Sequence, residues 1–112
     1  MGRRNKKRLK EVIVQAKGKK ERAFAYYQLG LFHDNNAREA EAIPNYMKAL
    51  ELGLDRETKA KALAWLASSL YKTNEPKKGL ARCHESQKIT KDKKLKEFLD
   101  RIEKGIKKSL RI

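Results

Sequence analysis

By residue type, Cys83 beside His84 and His33 beside Asp34 hold the most reactive chemistry in the chain. A thiol next to an imidazole would serve nucleophilic catalysis, the imidazole taking the proton so that the thiolate can attack. The spacing argues against this. Neighbours on a helix point about 100° apart, so the Cys83 thiol and the His84 ring do not face each other. Cys83 reads instead as a small core residue. His33 falls at a helix end, where an imidazole suits the negative pole of the helix dipole. No glycine-rich phosphate loop, zinc-ligand spacing or nucleophile elbow is present. The expectation is a non-enzyme, with no catalytic residues, no metal site and no cofactor.

Charge offers a second kind of chemistry. The 112 residues carry a net charge of +15, unevenly spread. Residues 1–20 hold nine Lys/Arg against one Glu, whereas residues 21–56 hold four against six acids. Residues 57–90 hold seven against three, and residues 91–112 nine against four. An electrostatic contact is expected at Arg3, Arg4, Lys6, Lys7, Arg8 and Lys10, facing nucleic-acid phosphates or an acidic protein. Lys72, Lys77, Lys78, Arg82, Lys88, Lys91, Lys93 and Lys94 form a second cluster. The plainer reading of both is a solvated, solubilising surface. The basic start has no interleaved aromatics to stack bases, so any nucleic-acid contact is expected to be phosphate-driven and salt-sensitive.

These residues need elements to position them. Ala, Leu, Lys and Glu dominate and favour helix. Leu9, Val12, Ile13 and Ala16 share one face of a lead-in helix over 8–17, and Gly18 suits its end. The stretch from Ala23 to Leu54 reads as helix, Asp34-Asn35-Asn36 turn, helix. Tyr26, Leu29 and Gly30 mark one face, and Ala42, Tyr46, Ala49 and Leu50 the other. Small residues beside large ones let antiparallel helices interdigitate closely. Asn36 and Glu39 have the spacing of a capping box, and Pro44 predicts a bend over 40–44. Gly53 is a C-cap and Asp55 an N-cap for a second pair. Leu63, Leu66, Ala67 and Leu70 lie on its first helix; Pro76 opens its second, which carries Gly79, Leu80, Cys83 and Ser86. Leu29-Gly30 and Leu66-Ala67 stand 37 residues apart. Thr90 or Asp92 caps a last helix with an apolar stripe of Leu95, Phe98, Leu99, Ile102 and Ile106.

Tyr26, Leu29, Gly30, Ala42, Tyr46 and Ala49 resemble the tetratricopeptide repeat, a helix-turn-helix unit of ~34 residues. Leu54 stands where that unit usually closes on proline. The resemblance implies an all-α fold of antiparallel helix pairs in a right-handed superhelical stack, about six helices in all. The expected organisation is a disordered basic tail over 1–7 and one helical repeat domain over 8–112. That domain comprises the lead-in helix 8–17, repeat one 20–54, repeat two 57–90 and a terminal helix 92–110. Two repeats are few, so the first and last helices are expected to act as caps.

The resemblance further implies an adaptor that binds a partner protein or peptide on its concave face. Phe24, Tyr27 and Leu31 on repeat one, with Lys61, Ser68 and Tyr71 on repeat two, are the expected groove residues. Nucleic-acid or ribosome association through the basic ends is the alternative, and a homo-oligomeric structural role a second one. No apolar run approaches ~18 residues, so no membrane span is expected. No apolar core of a signal peptide follows the basic start, and Lys6 replaces the Ser or Thr of a myristoylation motif. One cysteine permits no internal disulfide. The expected location is therefore the cytoplasm.

Overall fold

The computed structural model describes residues 18–111 together with Lys10, Glu11 and Ile13. The expected tail over 1–7 and most of the lead-in helix over 8–17 lie outside the described residues, as do Arg3, Arg4, Lys6, Lys7 and Arg8. Five helices are bounded among the described residues, against the six expected, with no strand: α1 Lys19–Asn35, α2 Glu39–Leu52, α3 Arg56–Lys72, α4 Pro76–Ile89 and α5 Lys93–Ser109. Lys10, Glu11 and Ile13, within the span of the expected lead-in helix, are also helical. The chain divides into two compact units, Met1–Leu54 and Asp55–Ile112.

A shift of 37 residues carries α1 onto α3 and α2 onto α4, end for end. The turns repeat too. Ala37 and Asn74 each take a left-handed φ, 58° and 67°. The residue after each donates its N–H five residues back, Arg38 to His33 O and Glu75 to Leu70 O, both at 2.8 Å. Asn tolerates this conformation better than Ala does.

The first turn departs from the capping expected of it. Asn36 donates its side-chain amide to Phe32 O at 2.7 Å and so closes α1 instead of opening α2. Arg38 precedes α2 without a side-chain cap. The helix then runs unbroken through Pro44. Asn45 supplies a side-chain donor there, reaching Glu41 O at 2.9 Å.

In the first unit α1 and α2 pack through a size match. A Cβ on Gly30 would meet the Tyr46 ring at 2.6 Å, so hydrogen is the only side chain this approach tolerates. Tyr46 is fully buried, and its hydroxyl donates to Asp34 Oδ2 at 2.8 Å. Burial first, and the Asp34 carboxylate second, raise its pKa well above the ordinary range. The phenol therefore stays a neutral donor.

In the second unit the same register holds Ala67 and Cys83, both buried, so the facing sizes are redistributed. Ser86 Oγ donates to Ala60 O at 2.7 Å across the α3–α4 interface, satisfying a buried hydroxyl. A Cβ on Gly79 would meet Ala67 O at 2.9 Å, which fixes how near the two backbones lie. At the other end Glu57 accepts from Thr90 Oγ1 at 2.9 Å and from Lys91 N–H at 3.0 Å. Arg56 Nε reaches Ile89 O at 3.0 Å.

Helix α5 begins 37 residues after α3 and has the same 17-residue length. Asp92 caps it, as Asp55 caps α3, accepting from Lys94 N–H at 2.9 Å and Leu95 N–H at 3.4 Å. It stands where the first helix of a third repeat would stand. Its sequence differs on the face that matters. The places of Tyr26, Leu29 and Gly30 are taken by Asp100, Glu103 and Lys104. Charge on that face ends the apolar pattern. The inner stripe instead buries Leu95, Leu99 and Ile106. Leu95 and Leu99 join Ala60, Ala64, Ala67 and Cys83 in one core, with Trp65, Ile89, Phe98 and Ile102 packed against it.

Candidate interaction site

Each expected groove residue has a definite place within its own unit. On α1, Phe24 is 46% exposed whereas Tyr27 is only 7% exposed, and Leu31 is half-buried. The Phe24 and Tyr27 rings lie 5.9 Å apart between centroids. Tyr27 lies 6.2 Å from Tyr46, whose hydroxyl is anchored on Asp34. A relay of rings thus runs from a pinned phenol in the core to an open aromatic at the surface. Tyr27 belongs to the support of that surface, and truncating it would disturb packing as well as any contact.

On α3, Lys61 is exposed and Tyr71 half-buried, while Ser68 is 9% exposed. The Tyr71 side chain faces α5: a Cβ on Gly105 would meet its hydroxyl at 3.2 Å. Trp65 points to α5 as well, edge-on to Phe98 with centroids 5.1 Å apart. The described member of the expected electrostatic set, Lys10, is exposed and helical.

Sequence reading missed a polar knot between α4 and α5. The Glu103 carboxylate accepts from Lys107 Nζ at 2.9 Å, Gln87 Nε2 at 3.0 Å and His84 Nε2 at 3.2 Å. Hydrogen bonds from Gln87, then Lys107, then His84 hold its pKa at about 2, well below the usual carboxylate range. One signal was available: in the 37-residue frame Glu103 occupies the place of Leu29 and Leu66. Beside this knot Cys83 is buried, its Sγ 3.4 Å from Leu99 O. Burial, then the nearby Glu103, pushes the thiol up to about 11, so it is not a thiolate at neutral pH. His84 is spent on Glu103 and does not address the thiol. No group of three His, Cys, Asp or Glu suited to a metal ion occurs among the described residues.

The family model described as "Tetratrico peptide repeat" matches residues 21–103, which span all of α2 to α4 and most of α1 and α5. The chain belongs to the tetratricopeptide repeat family. No match was found among curated proteins or among solved structures. The family is generally one of non-enzymatic, protein-binding helical repeats, and the all-helical architecture here accords with it. None of the described helices of this tetratricopeptide repeat protein is long and apolar enough to cross a membrane.

Proposed function

We propose that the protein is an adaptor without catalytic activity, binding a partner protein or peptide through a helical face to which α1 contributes. Phe24 carries this reading. A large aromatic is open to solvent, yet Tyr27 and Tyr46 order it from beneath. Exposed aromatics held rigid in the free state make efficient anchors, because little side-chain freedom is lost on binding. The single buried cysteine fits a reducing, cytoplasmic setting.

Peptides selected from a displayed library on the full chain provide the test. Their affinities are measured by fluorescence anisotropy for the wild type, Phe24→Ala and Met47→Ala. Met47, also 46% exposed but on α2, is the control. Phe24→Ala should weaken binding roughly tenfold or more, the range of an interface anchor. Met47→Ala should change little. Equal effects of the two substitutions would refute the assignment.

A second reading, association with nucleic acid, draws on the charge of residues 55–112, which hold 17 Lys/Arg against eight acids.

A further inference from the structure

We infer that one end of the second unit is a sequence-independent docking surface for the phosphodiester backbone of a nucleic acid. It is formed by the last turns of α3 and α5 and the first turn of α4. Tyr71 lies against Gly105, and a Cβ on Gly79 would meet Ile106 Cδ1 at 3.4 Å. These contacts bring Lys72, Lys77, Lys78, Lys104, Lys108 and Arg111 to the same end, all of them exposed. Two carboxylates share it, and both are engaged. Glu75 takes Lys78 at 2.9 Å, and Glu103 takes Lys107 at 2.9 Å. Lys77, Lys104, Lys108 and Arg111 form no ion pair among the described residues.

The helix field accounts for only part of this charge. Lys107 and Lys108 sit in the last turn of α5, where cations are favoured. Lys77 and Lys78 sit in the first turn of α4, where cations are disfavoured, and no acid stands beside them in that turn. Glu75, just before the helix, offsets Lys78 at 2.9 Å, but Lys77 breaks the local rule with no ion pair among the described residues, which marks a position held for another purpose.

The surface fits phosphates better than an acidic protein segment. A protein interface centres on a desolvated apolar or aromatic anchor. Among the described residues of this unit the exposed large apolar side chain is Leu110, at 36%, beside Arg111 at the end of α5. Tyr71 is turned to Gly105 and Trp65 to Phe98, so neither ring is presented for base stacking. Lysines without aromatics recognise the backbone alone, as point charges.

The test measures binding of a fluorescein-labelled single-stranded RNA of generic sequence to the full chain across a salt series. Two triple variants with equal net charge are compared. Lys77→Gln with Lys78→Gln and Lys104→Gln alters the proposed surface. Lys59→Gln with Lys88→Gln and Lys96→Gln alters exposed lysines at the opposite end of the unit. Removing three single-strand phosphate contacts should lower the salt slope by about 2 and weaken binding roughly 100-fold in ~0.1 M salt. The second triple should bind close to wild type. Thermal melting of the first should be unchanged or slightly raised, since two cations leave a helix start. Equal losses in both triples, or no loss in the first, would overturn the inference. So would labelled poly-glutamate that binds more tightly than the RNA and is lost in the first triple, which would mark an acidic protein segment as the partner.

Discussion

Replacing Gly30 by Ala sets two effects of known size against each other. In a helix interior Gly→Ala gains about 1 kcal/mol from propensity alone. Here the new methyl would lie 2.6 Å from Cδ1 and Cε1 of Tyr46, so the ring must retreat by roughly 1 Å to reach ordinary contact. It has little room to do so. The ring is fully buried, its hydroxyl is fixed on Asp34 at 2.8 Å, and Tyr27 lies 6.2 Å away. Overpacking of this kind costs about 1–3 kcal/mol. With the ring held at both ends the upper part of that range applies, for a net loss of about 1–2 kcal/mol.

The second unit shows how the clash would be relieved, because its matched pair is Ala67 with Cys83. Tyr46→Cys alone should cost about 3–5 kcal/mol for the vacated volume. Combined with Gly30→Ala, the loss should fall short of the sum by about 1–2 kcal/mol, a coupling ordinary for residues in contact. Urea titrations followed by far-UV circular dichroism measure all four corners of the cycle. Trp65 fluorescence, which arises in the second unit, serves as the control trace. A Gly30→Ala protein that unfolds at higher urea than wild type, or a strictly additive double variant, would refute the packing argument.

Two further outcomes follow from the second unit. The Glu103 carboxyl sits at about 2 when folded against an ordinary 4.5, so on acidification the unfolded chain takes up the proton first. Its contribution is complete above about pH 5 and is lost as the pH falls towards 2. The difference in urea midpoint between wild type and Glu103→Gln should therefore narrow over that window; a constant difference would contradict the sign. Glu57→Ala removes the acceptor of Thr90 Oγ1 and Lys91 N–H and should cost about 1–3 kcal/mol. Amide exchange at Lys91 should quicken with it, and unaltered exchange would show that the latch does not hold that segment.

Much of the helical framework was legible because caps and periodicity are local. Gly53 ends α2 with a φ of 106°, Asp55 accepts from Thr58 N–H at 3.0 Å, and Pro76 opens α4. Each is decided within four residues, the reach of one helical turn. Even locally one competition went unseen. Asn36 could serve either neighbouring helix, and a carbonyl of the helix already formed captured its side chain.

By itself, then, the sequence determined the helices, their 37-residue frame and the meeting of small residues with large ones. The tertiary structure decided which apolar side chains remain available. Tyr27 and Phe24 share a helical face by spacing, yet Tyr46, nineteen residues further on, covers Tyr27 and leaves Phe24 open. Tyr71 and Trp65 were withdrawn into contacts with α5, more than thirty residues away in the chain. Of the i, i+4 acid–base pairs on α5, Glu103–Lys107 forms, while Glu97–Arg101 and Asp100–Lys104 form no ion pair among the described residues. Periodicity names the face a side chain shares. Whether that face meets another helix or water depends on contacts that close only when distant segments pack.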